Sequence, residues 1–181
     1  MTPLYVILGL VAAQRLAELV YAARNTRQLR ARGAIEVDSG GYPGLVLLHA
    51  GWLGSMLMFL PAATVPNWGL IGVFAVLQLG RLWVMRTLGA RWTTRIIVLP
   101  GTARITGGPY RYCRHPNYLI VACEIAVLPL AFHAPALAAG FSLANFGLLW
   151  RRIRLEDRAL LTAAPQQSHH IREDQPLAER H

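Results

Sequence analysis

One stretch of twelve residues, GGPYRYCRHPNY, concentrates side chains that could bind a ligand or act on it. It covers residues 107–118 and holds three tyrosines, two arginines and one histidine. Its two glycines and two prolines favour an irregular backbone. Irregular backbone near a membrane is tolerated where protein or a water-filled cavity covers it. The stretch is therefore either a ligand cradle at the membrane surface or a basic, aromatic anchor in the interface.

A second group of candidate residues lies in RRIRLEDRALL, residues 151–161. Arg152 and Glu156 are four residues apart and share one face of a helix, where a plain surface ion pair is worth about 0.3–0.5 kcal/mol. The alternative is a functional pair; the charges begin where an apolar run ends, which snorkelling of the side chains to the membrane surface also explains.

Three further charged residues lie within apolar surroundings, where each charge costs roughly 2.5–3.5 kcal/mol. Arg15 and Glu18 are spaced to pair with each other, and we interpret them as structural. Glu124 faces either a cavity or the interface. The lone histidines, His49 and His133, are interpreted as structural.

The composition indicates what must position these side chains. Of 181 residues, 54% are hydrophobic and 15% are charged, against about 25% charged in a soluble domain. Residues 39–80 and 125–150 contain no Asp, Glu, Lys or Arg, as is typical of membrane spans. The net charge of +9 comes from arginines clustered between apolar runs, which favours contact with membrane lipids over nucleic acid. Two cysteines outside any CxxC pair argue against a disulfide framework or a metal site.

The apolar runs predict an all-α integral membrane helical bundle of about five transmembrane helices, with its candidate pocket on the cytosolic side. Arginines at residues 24–32, 81–114 and 151–158 all fall on one side of this arrangement, and the opposite connectors, 61–67 and 133–135, contain none. The positive-inside rule then places the N-terminus outside and the C-terminus in the cytosol. Residues 1–162 form the membrane domain, and residues 163–181 are predicted to be a polar, disordered tail. The five predicted runs are 2–23, 43–60, 68–88, 119–132 and 135–150.

The joint pattern is more specific than its parts. GPYRYCRHPNY, a helical hairpin and then RRIRLEDRAL, with the lead-in RWTTRIIVLPG, resembles the isoprenylcysteine carboxyl methyltransferase family, especially its short bacterial branch. The resemblance covers residues 81–161 and implies an enzyme that uses S-adenosylmethionine as its cofactor. It implies that Arg152 and His115 are the catalytic residues, with Arg152 near the methyl acceptor. It also implies that the cofactor is bound by Thr102, Ala103, Arg104, Ile105, Tyr110, His115, Pro116, Asn117, Tyr118 and Glu156.

The chemistry of these side chains agrees with the implied roles. Tyrosine faces attract a sulfonium, and Glu156 can bind an ammonium group. A carboxylate acceptor needs no general base, whereas a phenol, with a pKa of about 10, needs one, for which His115 or Glu156 is the candidate. The predicted function is an O-methyltransferase in the bacterial inner membrane. Its acceptor is predicted to be a lipophilic small molecule or a prenylated substrate that enters from the bilayer and carries a carboxylate or a hydroxyl, such as an isoprenylcysteine-like group or a phenolic or polyketide lipid. The alternatives are a nicotinamide-dependent membrane reductase and a non-catalytic membrane protein; the sequence leaves the oligomeric state open.

Overall fold

The computed structural model describes residues 2–163 of the chain. Within this part five α-helices follow one another, and each reverses the direction of the one before it. The arrangement is the all-α membrane bundle that the sequence predicts. The predicted tail lies outside the described residues, apart from Ala163, which ends the last helix. The helices are α1 (Pro3–Ala31), α2 (Tyr42–Phe59), α3 (Trp68–Leu88), α4 (Pro116–Ala131) and α5 (Pro135–Ala163).

Three helices of the described part, α1, α2 and α3, are long and apolar enough to cross a membrane. The fourth, α4, is apolar but has only 16 residues. At a rise of 1.5 Å per residue it is about 24 Å long, shorter than a hydrocarbon core of about 30 Å. The fifth, α5, combines an uncharged first half with a charged second half. The predicted runs at 119–132 and 135–150 therefore correspond to one short helix and to half of a long one.

Two helices are longer than the apolar runs predict. The sequence predicts a polar linker from residue 24, but α1 continues to Ala31. Asn25 and Thr26 are buried there, and the Asn25 amide donates hydrogen bonds to the carbonyl oxygens of Gly89 (3.3 Å) and Trp92 (2.8 Å). These distant partners stabilise a polar helical turn that hydropathy alone assigns to a loop. Residues 151–161 extend α5 beyond its apolar run without a break, as the prediction of a charged amphipathic helix there requires.

Caps and turns fix where the helices begin and reverse. The Asn67 side chain accepts a hydrogen bond from the Leu70 amide (3.2 Å) and so caps the N-terminus of α3. Prolines open α4 and α5, where a missing N–H costs nothing. His133 has a φ of 59° in the predicted hairpin turn. The backbone N–H of Asn67 donates to the Ala131 carbonyl (2.7 Å). The hairpin turn and the loop before α3 therefore meet at one end of the bundle, which we call the turn end.

The membrane part of the core packs mainly at the turn end. The indole N–H of Trp52 donates to the Ile125 carbonyl oxygen over 3.2 Å and ties α2 to α4. Burying large apolar side chains contributes about 1.5–3 kcal/mol each, although lipid rather than water surrounds much of this bundle. This core positions α4 and α5 side by side as a hairpin. Its buried members are Leu4, Leu8, Val11, Trp52, Met56, Phe74, Val121, Ile125, Leu128, Ala131 and Phe132.

The opposite end, the polar end, is formed by residues 32–41 and 89–115. A two-residue antiparallel ladder joins β1 (Ile35–Glu36) to β2 (Ile97–Val98), with Ile35 opposite Val98. The Glu36 carboxylate binds Arg95 (2.6 Å) and Arg30, so charge pairs reinforce this small sheet. Two further hydrogen bonds, 2.8 and 3.0 Å, join the Arg151 guanidinium to Asp38. The polar end is therefore held to α1 and α5 by ion pairs that the sequence did not predict.

Candidate active site

A cavity of about 510 Å³ runs from the polar end into the space between α1 and α2. The sequence-predicted cofactor-binding residues come from the loop at 102–105, from the stretch at 107–118 and from α5. The structure brings all of them except Pro116 to the wall of this cavity; Pro116 is buried in the first turn of α4. Those on the wall are Thr102, Ala103, Arg104, Ile105, Tyr110, His115, Asn117, Tyr118 and Glu156. Arg152, which is predicted to be catalytic, lines the same cavity.

Two tyrosines and a carboxylate form the polar centre of the cavity wall. The Tyr118 hydroxyl donates to Oε2 of Glu156 over 2.6 Å. Burial, and next the Glu156 carboxylate, raise the pKa of Tyr110 to about 12. Tyr110 is therefore a neutral phenol at physiological pH. The cavity thus presents π faces beside a carboxylate, a combination that attracts cations.

The His115 ring stacks on Tyr118, with ring centroids 5.5 Å apart and planes 16° from parallel. Its Nε2 lies 3.3 Å from Oδ1 of Asp157, and its Nδ1 lies 3.8 Å from Oε2 of Glu156. Two acidic side chains from consecutive positions of α5 therefore surround this ring. They fix its orientation against Tyr118.

Arg152 is a buried cation with unused donors. The residue is 4% exposed, and its Nη2 donates to the Thr94 carbonyl oxygen over 2.9 Å. Its Nε and Nη1 atoms are buried and have no hydrogen-bond partner among the described residues. The guanidinium carbon lies 5.9 Å from the Tyr118 ring centroid. Because an unsatisfied buried charge is costly, these atoms are suited to bind an anionic oxygen.

The loop that carries Thr102 to Ile105 is held by side chains on both flanks. The Thr102 hydroxyl donates to the Leu99 carbonyl (2.7 Å), and Arg91 donates to the Ala103 carbonyl (2.9 Å). Arg104 in turn donates to the carbonyl of Arg114 over 2.9 Å. The loop is thereby fixed against the stretch that leads into α4.

The comparison with known proteins agrees with this arrangement. The model of the isoprenylcysteine carboxyl methyltransferase family matches residues 70–162, which include α3, the irregular stretch, α4 and the charged half of α5. The chain belongs to this family. Family membership indicates a membrane methyltransferase. The resemblance predicted from the RHPNY and RRIRLEDRAL motifs is thus confirmed.

Relatives of this family member extend the similarity beyond the matched region. The chain is 34% identical over 160 residues to YpbQ of Bacillus subtilis (strain 168), an uncharacterized protein; the match covers 86% of this chain and 95% of YpbQ. It is also 30% identical over 122 residues to CzcN, a cobalt-zinc-cadmium resistance protein of Cupriavidus metallidurans. This match covers 67% of this chain and 48% of CzcN. No solved structure matches the chain.

The residues that the sequence left undecided form a buried ion network in this methyltransferase-family bundle. Arg15 binds Glu18 (2.8 Å) and Glu124 (2.7 Å). Arg81, from α3, also binds both carboxylates. Glu124 is 1% exposed and Arg81 is 4% exposed. Glu124 therefore faces the interior, and the network joins α1, α3 and α4 with two charges of each sign.

Two amides complete this network. Gln78 donates to Glu124 (2.8 Å), and Gln14 donates to Glu18 (2.9 Å) and to Gln78 (2.7 Å). The sequence did not predict that Arg81 and both glutamines are partners of Glu18 and Glu124. Their only signal is a polar side chain within an apolar run, and that signal does not say which neighbours a helix face meets. Arg15, Glu18 and Arg81 also line the cavity, so the network forms its polar floor.

Proposed function

We propose that the protein is an integral-membrane, S-adenosylmethionine-dependent O-methyltransferase that acts on a lipophilic acceptor carrying a carboxylate or a hydroxyl. One observation carries this proposal. Two segments far apart in the sequence, around Tyr118 and around Glu156, meet at a cavity that has both a polar mouth and an apolar wall. A methyl donor and a lipid acceptor need such a shared space, because methyl transfer depends on alignment of the two reactants.

The residues at the polar mouth fit the cofactor. The cavity volume lies within the range of about 300–1,000 Å³ common for small-molecule sites. Glu156 would hold the ammonium group, and the faces of Tyr110 and Tyr118 would hold the sulfonium. The buried Asn117 Oδ1 has no hydrogen-bond partner among the described residues and is available to an N–H donor. When bound, the cofactor supplies an activated methyl group.

The protein's own part in the reaction is to position the acceptor. Arg152 offers its unpartnered Nε and Nη1 to an acceptor oxygen that carries or gains negative charge. A carboxylate is already ionised and reacts once it is held. A hydroxyl must also lose its proton, for which His115 is the candidate near the cofactor end.

The apolar part of the cavity supports entry of the acceptor from the bilayer. Leu16 and Leu19 of α1 and Leu45, Val46 and Leu53 of α2 line it. Leu16 is 63% exposed on the outside of the bundle, so the gap between α1 and α2 borders lipid. A hydrocarbon chain can pass there without crossing water.

The placement of arginines supports an orientation in the bacterial inner membrane. The polar end and α5's charged half carry arginines, whereas the turn end carries none in residues 61–67 and 133–135. By the positive-inside rule the polar end, with the cofactor site, lies in the cytosol and the N-terminus lies outside.

Binding and transfer experiments together test this function. Isothermal titration of the purified protein should detect binding of S-adenosylhomocysteine and none of NADPH. Membranes that contain the protein, incubated with methyl-labelled cofactor and a lipid extract, should yield a labelled lipid whose identity gives the acceptor. Binding of NADPH without S-adenosylhomocysteine would instead favour the membrane reductase.

A further inference from the structure

One histidine on the cavity wall has no place in the chemistry described so far. His49 lies on α2, is half-buried and lines the cavity together with Arg15 and Glu18. Its Nδ1 is 2.9 Å from the Leu45 carbonyl oxygen, one turn earlier in the helix. A carbonyl only accepts hydrogen bonds, so Nδ1 carries the proton in the neutral ring. The opposite nitrogen, Nε2, then carries a lone pair and has no hydrogen-bond partner among the described residues.

The ring is held in place on two sides. Besides the hydrogen bond to Leu45, it meets the Trp52 ring edge-on, with centroids 6.3 Å apart and planes 79° apart. Trp52 is itself fully buried and bonded to α4 through Ile125. His49 therefore keeps one tautomer and one orientation, as a proton acceptor must.

The surroundings decide what kind of group Nε2 meets. The charged groups that act on His49 are Arg15, Arg81 and Glu124, and Glu18 lines the same cavity. These four pair with one another, two cations with two anions, so the network as a whole is neutral, and Arg15 and Arg81, which line the cavity, are already paired. An acceptor's head group at this depth meets a neutral imidazole and a balanced ion network. A neutral hydrogen-bond donor matches such surroundings better than a carboxylate does.

We propose that His49 is the proton acceptor for a neutral hydroxyl group, so that the methyl acceptor is a lipophilic phenol or enol rather than a carboxylate. The inference rests on the proposed methyltransferase function and specifies its substrate class. His49 thereby takes the role that the sequence offered to His115 or Glu156.

The step balances in atoms and electrons. The hydroxyl donates a hydrogen bond to Nε2, and its oxygen forms the new O–CH₃ bond while the carbon–sulfur bond of the methyl donor breaks. The O–H electron pair stays on oxygen, and the proton moves to Nε2. The products are a methyl ether, a neutral thioether and an imidazolium, which returns its proton to water.

The first test measures binding without turnover. 3-Pentadecylphenol and its methyl ether differ by the O–H donor, and both are titrated in the presence of S-adenosylhomocysteine. The wild type should prefer the phenol by roughly three- to tenfold, the worth of one hydrogen bond. His49→Asn keeps an N–H for Leu45 but lacks Nε2, so it should lose the preference. His133→Asn, at the exposed turn end, is the matched control and should keep it.

The second test separates proton transfer from binding. His49→Gln can still accept a hydrogen bond but cannot take up a proton, so it should keep the binding preference and lose transfer rate at neutral pH. Its deficit in kcat/KM should shrink as the pH approaches about 10, where the phenol ionises by itself. A purely structural role for His49 produces no such recovery.

Each outcome decides the proposal. A preference for the phenol that survives in His49→Asn, or its absence in the wild type, overturns it. A pH-independent deficit in His49→Gln overturns it too. Should His49→Asn fail to fold, His49→Gln still decides the question through its pH profile. Failure of the wild type to bind S-adenosylhomocysteine would instead refute the proposed function.

Discussion

The Tyr118 hydroxyl donates a 2.6 Å hydrogen bond to the Glu156 carboxylate across 38 positions of sequence. The contact exists because α4 and α5 form a hairpin whose turn, with His133 at its positive φ, lies at the other end of the bundle. The chain leaves the polar end at Tyr118 and returns to it at Glu156. This one pair thus joins the RHPNY motif to the charged half of α5.

Alanine at Tyr118 or at Glu156 should weaken binding of S-adenosylhomocysteine, by roughly tenfold to a hundredfold for the carboxylate, since a charge-assisted contact is worth about 1.5–3 kcal/mol. The double variant should fall short of additivity because both residues touch one ligand and each other. Titration calorimetry measures the affinities. Tyr112→Ala is the control, because Tyr112 lies in the same stretch but is 78% exposed. Wild-type affinity in either single variant would remove that residue from the cofactor site.

Arg152→Ala should lower kcat/KM for the acceptor by roughly tenfold to a hundredfold and leave cofactor affinity nearly intact. The lost groups are its buried, unpartnered Nε and Nη1, on a residue that lines the cavity. Lysine should restore part of the activity, since it keeps the charge but lacks the planar fork. Arg154→Ala, an exposed neighbour that packs on Trp150, should behave as wild type. Loss of cofactor binding with unchanged acceptor kinetics would mean that the two roles are reversed.

The orientation predicts which single cysteines an impermeant reagent can reach. In a chain whose Cys113 and Cys123 are replaced by serine, a cysteine at Asn67 should react from outside the cell. A cysteine at Thr106, in the exposed part of the polar end, should react only after the membrane is opened. The reverse pattern would show that the protein has the opposite membrane orientation, with the cofactor site outside.

Glu124→Ala should reduce the free energy of unfolding by about 3–5 kcal/mol, because it leaves Arg15 and Arg81 without their most buried partner. Removing both signs together, as Arg81→Met with Glu124→Leu, should cost less than Glu124→Ala alone. Unfolding in detergent by denaturant gives the values. Arg86→Met on the exposed side of α3 is the control. A double variant as unstable as the single one would show that the loss does not come from arginines left without a partner.

Low pH should destabilise the polar end, because it protonates Glu36 and weakens its ion pairs. Burial opposes ionisation of this carboxyl, but Arg95 and Arg30 outweigh burial and hold its pKa below the ordinary 4.5. A lowered pKa means that the stabilisation is complete above pH 4.5 and is lost as the pH falls through the lowered value. The backbone N–H of Val37 donates to the Ile96 carbonyl (3.0 Å), and its protection against hydrogen exchange, relative to the intrinsic rate at the same pH, should then fall. Glu36→Gln should lose this acid response.

Hydropathy and caps were enough to predict much of the fold. The run at 68–88 matches α3 residue for residue, since Asn67 caps it and Gly89 ends it. The end of α1 was wrong, because Asn25 finds its partners more than 60 positions away. Such tertiary hydrogen bonds leave no periodic trace in the sequence.

The candidate site, like the fold, was predictable from the sequence only in part. The family resemblance predicted that Tyr118 and Glu156 meet, and the tight hairpin made this contact feasible. The cavity position of His49 and the partners of Arg81 were not predictable, because they depend on how each helix is rotated about its axis. That rotation is set by how the helices pack against one another, and this packing cannot be derived from a single sequence.

The buried ion network also bears on how the chain enters the membrane. Arg15 and Glu18 pair within α1, so the first helix can leave the translocon with its charges already matched. Arg81 and Glu124 lie on consecutive helices and have no such local partner. Until α4 emerges, Arg81 has only Glu18 of α1 as its partner and shares it with Arg15, so α1 and α3 together carry one excess positive charge. Glu124 on α4 removes that excess, so the buried charges of the bundle balance only when the fourth helix is in place.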